Sequence, residues 1–212
     1  MIKNIFPTKI WEVTYPGYNK EETVRKFDAF QEKTGTHKLN RNIIANSTVG
    51  IFPAPPFTLS TVDEKEKEYV PNYDNVQKDL PGLFNWINKQ IVKYHEQLGY
   101  KNPEKYQVAG AWTTSADKDD YLVLHNHNPR ISAGVFYVDA EPERGNLYLL
   151  NPNEMVIGRN EYQTGYDFPD KWYEFPVQSG RLILFPGYLY HYAPKNITED
   201  ARKIISFDVV KR

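Results

Sequence analysis

The chain contains no cysteine in its 212 residues. A disulfide framework, a zinc–thiolate site and a thiol nucleophile are therefore all excluded. Absence of cysteine accords with a reducing compartment, and a cytoplasmic location is the expectation. Net charge is also nearly absent, because 26 Lys and Arg against 27 Asp and Glu leave a formal −1. No basic surplus argues for nucleic acid or an anionic membrane as partner. No stretch is long and apolar enough to span a bilayer as a helix. The opening MIKNIFPTKIW lacks the apolar run of a signal peptide. Aromatic residues are what the chain has in quantity, with 16 Tyr, 11 Phe and 4 Trp. They favour strands and pocket walls, which tilts the reading towards a β-rich enzyme or binding domain. The length suits one domain with a core of its own, so 1–212 is read as a single domain.

The two halves of the chain differ in pattern. In KEETVRKFDAFQEKT, a helix is expected over Glu21 to Thr34, with Val24, Phe27 and Phe30 at helical spacing and acidic residues in its first turn. The segment 36–78 is punctuated by Pro and Asn and reads as loops with short extended pieces. A second helix is expected from Pro81 to Leu98. Phe84, Ile87, Ile91, Tyr94 and Leu98 form its apolar stripe, and Gly99 stops it. His95 lies inside that helix and reads as a surface or packing residue. From Tyr106 onward, short aromatic and β-branched runs alternate with polar turns. Strands are expected at Tyr106–Thr113, Tyr121–His125, Ser132–Asp139, Asn146–Leu150, Trp172–Phe175, Arg181–Phe185 and Lys203–Val210. Many short strands with polar turns suggest a sandwich or barrel, with the helices against one outer face. The expected division is 1–105 for the helical and loop part and 106–212 for the β core. There is no internal repeat.

The chemistry is expected where His125 and His127 end one strand and His191 follows a second turn, FPGYLY. Side chains at i and i+2 on a strand point the same way, so His125 and His127 can aim at one point. Imidazole is the commonest neutral metal ligand. A third histidine from a strand of the opposite sheet would complete a three-ligand face and leave other coordination positions open, as O2 chemistry on iron requires. The ordinary alternative is two solvated histidines at a strand end. Arg202 opens the strand KIISFDVV, and its guanidinium suits a carboxylate. Alternation puts Arg202, Ile204 and Ser206 on one face, with Ser206 in position to bond the same carboxylate. Tyr137 in GVFYV is a further candidate for that carboxylate. Tyr121, Asn146 and Trp112 are secondary pocket candidates.

These runs resemble a known family. HNHNPRISAGVFYV from His125, GNL from Gly145, SGRLILFPGYLYHYAPKN from Ser179 and RKIISFD from Arg202 are similar to motifs of the 2-oxoglutarate/Fe(II)-dependent oxygenase superfamily. More narrowly, they resemble a group of 2OG-Fe(II) oxygenases from bacteria and phages. That group carries an HxHP-type motif, an FPxxLxHxVxPN-type motif and a following RxSxSFN. The opening NIFPTKIW is similar to its LFPTPI-type start. The resemblance is dense from Trp112 to Asp208 and vague between 36 and 105.

The resemblance implies a mainly β fold with some helix: a double-stranded β-helix (a cupin-like jelly roll) with N-terminal helices packed on one outer face. It implies Fe(2+) held by His125, His127 and His191, and 2-oxoglutarate as co-substrate. It puts Arg202 and Tyr137 on the 5-carboxylate of that co-substrate. The implied reaction hydroxylates an unknown substrate and forms succinate and CO2. The chain departs from the superfamily in having His127 where most members have Asp or Glu. It also has Ile204 where Ser is usual, and Thr114 where Asn is usual.

Three other readings compete. One is a three-histidine cupin dioxygenase that does not use 2-oxoglutarate. Another is a non-catalytic jelly-roll binding module. The third is zinc hydrolysis, which is weakened by the lack of a general base beside the histidines. The substrate is a small molecule or a modified macromolecule, and a symmetric homodimer is the default assembly. Loops 36–78 and 151–171 are expected to wall the pocket with Phe57, Tyr69, Tyr73, Tyr162 and Tyr166.

Overall fold

Asn19 starts the first helix, α1 (Lys20–Thr34), by accepting the Glu22 N–H at 3.0 Å. Glu21 and Glu22 then sit at the positive end of the helix dipole, and Gly35, with φ at 76°, ends the helix. Phe27 and Phe30 are its buried face. The computed structural model describes residues 7–38, 43–44, 46–47, 73–152 and 172–212. The expected aromatic wall residues Phe57, Tyr69, Tyr162 and Tyr166, and the side chain of Tyr73, lie outside the described residues.

A short helix, α2 (Tyr73–Asp79), corrects the reading of 36–78 as irregular throughout. It spans two turns, and among its described side chains Val76 is the buried apolar one. That is too little for a periodic signal in the sequence. The helix α3 (Pro81–Gln97) begins with proline in its first turn and buries Leu83, Phe84, Ile87, Ile91 and Tyr94 along one stripe. Gly99, at φ 80°, follows its end.

Twelve strands are described. The first four are β1 (Trp11–Thr14), β2 (His37–Lys38), β3 (Ile43–Ile44) and β4 (Asn46–Ser47). Next come β5 (Tyr106–Ala116), β6 (Tyr121–His125), β7 (Ser132–Asp139) and β8 (Leu147–Leu150). The last four are β9 (Trp172–Phe175), β10 (Arg181–Pro186), β11 (His191–Ala193) and β12 (Arg202–Lys211). They form a seven-stranded sheet, β1-β10-β7-β12-β5-β4-β2, and a five-stranded sheet, β3-β6-β11-β8-β9. The paired strands are antiparallel.

The period of two explains how the layers stack. In β7, β10 and β12, Phe136, Val138, Leu182, Leu184, Ile205 and Phe207 join one apolar cluster with the helices. Their alternates, Val135, Tyr137, Ile183, Phe185 and Ile204, join a second cluster with Leu147 and Leu149 of the five-stranded sheet. The larger sheet is thus covered by helices on one face and by the smaller sheet on the other. A strand buried on both faces reads as a continuous apolar run, as RLILF does. This is a double-stranded β-helix with the N-terminal helices on one outer face, as the sequence implied. Its inner space, between the two sheets, holds the candidate site. Among the described residues, no helix is long and apolar enough to cross a membrane.

Candidate metal centre

β6 ends at His125, and β11 begins at His191 directly opposite it in the antiparallel register. The two imidazole centroids are 4.2 Å apart. His191 therefore belongs to the same sheet as His125, not to the opposite one as expected. The turn after β10, in FPGYL, carries the chain from the large sheet to the small one before the histidine is reached.

His127 stands two residues beyond the end of β6, so strand alternation does not place it. Two bonds fix it instead. Its N–H donates to the Gly187 carbonyl at 2.7 Å, and its Nδ1–H donates to Asp208 Oδ1 of β12 at 2.8 Å. Its ring lies 5.1 Å from that of His191 and nearly parallel to it, and 5.3 Å from that of His125. One ligand-type nitrogen from each of His125, His127 and His191 lies within 4.8 Å of the others.

The hydrogen bonds of the three rings decide which nitrogen is free. His125 Nδ1 lies 2.8 Å from the Val123 carbonyl, and His191 Nδ1 lies 3.0 Å from the Leu189 carbonyl. His127 Nδ1 faces a carboxylate. All three partners are acceptors, so each ring donates from Nδ1, and in the neutral form this leaves Nε2 as the ligand nitrogen. Burial pushes His125 down to about 4, with a further push from His127, while the Val123 carbonyl and Asp208 pull the other way. Burial also holds His191 well below the usual imidazole range, helped by His125 and His127. Both rings are thus neutral near pH 7, the state a metal ligand needs. The donor set, its tautomers and its protonation fit a divalent transition metal.

The cavity runs from these rings to Arg202, whose side chain is buried. Arg202 Nη1 donates to the carbonyls of Arg144 (2.7 Å) and Gly145 (2.8 Å). Burial lowers the guanidinium pKa from its usual high value, and Tyr137 and Asp120 oppose that. Arginine nevertheless stays charged at working pH. Tyr137 lines the same cavity from β7. Burial raises its hydroxyl pKa, against the pull of Arg202, so it is a neutral donor.

Ser206 and Ile204 also line the cavity, as the alternation from Arg202 requires. Ser206 is four residues along β12 from Arg202, roughly 13 Å at the strand rise. It sits towards the imidazoles, not beside the guanidinium. Trp112 and Tyr121 line the cavity too, and the Trp112 ring lies 6.0 Å from that of His127. Asn146 does not line it. Its side chain holds Glu174 and the Val177 N–H, joining β8 to the chain around β9. His95 is fully buried, so it is a packing residue and not a surface one.

Asp208 is the residue of this site that the motif reading missed. Counting by twos from Arg202 reaches 204, 206 and 208, so alternation alone puts its carboxylate on the cavity face.

Comparison with known proteins agrees with this architecture. Residues 110–208 match the family model described as "Putative 2OG-Fe(II) oxygenase". This range contains His125, His127, His191, Tyr137 and Arg202. Over that stretch, a little under half of its length, the chain is similar to 2-oxoglutarate/Fe(II)-dependent oxygenases. Among curated relatives, a methylphosphonate hydroxylase of Gimesia maris is 25% identical over 128 residues. That match covers 56% of this chain and 45% of the relative, so the chain spans less than half of the relative's length. Two solved structures share the fold. The alpha-ketoglutarate-dependent epimerase SnoN from nogalamycin biosynthesis aligns with a TM-score of 0.63 at 9% identity, over 96% of this chain and 78% of its own. HygX from Streptomyces hygroscopicus, with nickel, 2-oxoglutarate and hygromycin B bound, aligns with a TM-score of 0.55 at 14% identity, over 96% and 83%. At such identities the structural likeness speaks for the fold alone.

Proposed function

We propose that this chain is a 2-oxoglutarate-dependent oxygenase that binds one Fe(II) through His125, His127 and His191 and uses 2-oxoglutarate and O2 to hydroxylate a substrate. The observation that carries this reading is the convergence of three imidazoles at one end of a cavity that has a buried arginine in its wall. When bound, iron and 2-oxoglutarate supply the oxidising chemistry, in which 2-oxoglutarate is decarboxylated to succinate and one atom of O2 enters the substrate.

The chain's own residues prepare that chemistry. Three imidazoles on one side of an ion leave its remaining positions free. Arg202 offers a guanidinium for the 5-carboxylate of 2-oxoglutarate, and its Nη1 is already tied to two carbonyls, which fixes the side chain before the ligand arrives. Tyr137 adds a neutral hydroxyl to the same carboxylate. Phe185, Val135 and Leu147 line the space between the two sheets with apolar groups and keep bulk water from it. Ser206 lines this cavity away from Arg202, which suits the co-substrate's path more than its carboxylate anchor. The name of the Gimesia maris relative supports hydroxylation of a small molecule.

Anaerobic titration with Fe(II) and 2-oxoglutarate tests the reading. A weak visible charge-transfer band should appear, and succinate should form once air is admitted. His191→Ala should abolish both. No band and no succinate from the wild type, with substrate candidates present, would rule out the assignment.

A further inference from the structure

An imidazole ligates a metal as a neutral group, so a divalent ion held by these three would gain no anionic ligand among them. The Asp208 carboxylate stands one hydrogen bond further out. Asp208 is 6% exposed, and its two oxygens are both committed. Oδ1 accepts the Nδ1–H of His127 at 2.8 Å, and Oδ2 accepts the Nε–H of Arg130 at 3.1 Å.

Building on the iron reading above, we propose that Asp208 is the positioning residue of the centre. It locks His127 in the Nδ1–H tautomer, with Nε2 turned to the other two rings, and supplies a negative charge through that hydrogen bond.

The three histidines are held in different ways. His125 and His191 bond carbonyls two residues upstream, so their local backbone orients them. His127 lies past the end of its strand, and its ring bond spans 81 residues to the other sheet. The element on which Asp208 sits is firm, because β12 is paired on both sides and Asp208 faces Gly110 and Ala133 in the register. The Trp112 and His191 rings stack near that of His127 at small interplanar angles, 23° and 6°. Stacking of this kind sets the plane of the ring but not which edge faces the metal. A half-turn about Cβ–Cγ would exchange its edges, and the carboxylate distinguishes the two. A free imidazole in water favours the Nε2–H tautomer, which would block the ligand nitrogen. An acceptor at Nδ1 reverses that preference.

Arg130 does not cancel this charge fully. Its side chain is 41% exposed and screened by water, whereas those of His127 and Asp208 are 12% and 8% exposed. Its bond occupies Oδ2 and leaves Oδ1 for the histidine.

The test has a metal-free arm and a metal arm. In metal-free protein labelled with 15N-histidine, long-range 1H–15N correlation reads the tautomer of each ring. Wild-type His127 should be the Nδ1–H form, and Asp208→Ala should shift it towards Nε2–H. Anaerobic Co(II) or Fe(II) titration should then show a loss of about 10- to 100-fold in affinity for Asp208→Ala. Asp208→Asn keeps an acceptor oxygen and removes the charge. It should hold the tautomer yet bind metal more weakly than wild type, and it carries the test if the alanine variant does not fold. An Nε2–H tautomer in the wild type, an unchanged tautomer in Asp208→Ala or wild-type metal affinity in Asp208→Asn would overturn the proposal. Failure of the iron reading is separate, because it appears as a wild type that takes up no metal while the tautomer shift of Asp208→Ala persists.

Discussion

Gly145 shows how much of the site depends on backbone. Its φ is 100°, and a Cβ built there would lie 2.3 Å from Arg202 Nη1 and 2.8 Å from the Pro194 carbonyl. Its own carbonyl is one of the two acceptors that hold that nitrogen. Gly145→Ala should therefore cost on the order of 1–2 kcal/mol in backbone strain and also push the guanidinium aside. The expected outcome is a rise of roughly tenfold or more in the KM for 2-oxoglutarate, with Fe(II) affinity unchanged because the histidines are untouched. Separate titrations of metal and co-substrate check it, and an unchanged KM would remove Arg202 from the carboxylate site. Arg202 itself was legible in the sequence as a cation opening a strand. The carbonyls that grip it were not, since backbone groups leave no mark in residue identity. Asp208 was legible by alternation, but a motif made of ligands does not name the residues behind them.

Among the elements, His95 joins α3 to β7. Its Nδ1–H donates to the Ile91 carbonyl at 2.8 Å, its Nε2 accepts from the Ser132 hydroxyl at 3.1 Å, and its ring stacks on Tyr106 at 4.3 Å. Burial lowers its pKa below the ordinary 6.5, against the pull of the Ile91 carbonyl. Below about pH 6.5 the unfolded chain takes up a proton that the folded ring resists, so stability falls as the pH drops through that value and is fully present above it. His125 and His191 add the same sign in the metal-free protein. His95→Phe should make the acid dependence shallower without removing it. Urea midpoints near neutral pH and about one unit below pH 6.5 read the slope, and an unchanged slope would show that His95 does not contribute. The elements themselves were unevenly legible. Tyr121–His125, Ser132–Asp139 and Trp172–Phe175 appear with the expected limits, because polar turns bound them sharply. β11 was not foreseen. It has three residues, too few for alternation to register, and it carries His191. β1 was missed for a similar reason, as a four-residue strand at the edge of its sheet.

At the scale of the whole molecule, the candidate centre lies where the two sheets meet. His125 and His191 come from facing strands of the small sheet, and His127 is tied by Asp208 to the large one. An ion held by all three would connect the two layers. The unfolded chain cannot assemble such a site, because its three histidines are separated by up to 66 positions in sequence. Binding to the folded state alone stabilises by about 2.7 kcal/mol when free metal is at about 100 times its Kd. For a chain of this length, that should raise Tm by roughly 5–10 °C. Thermal unfolding under argon, with and without Fe(II) or Co(II), reads the shift. His191→Ala should show none, since the two remaining histidines no longer complete the face. An equal shift in that variant would mean that the metal stabilises the protein from some other place. The rise should also grow when 2-oxoglutarate is added with the metal to the wild type and stay small with 2-oxoglutarate alone, because the proposed anchor at Arg202 supplies only one end of the co-substrate's binding.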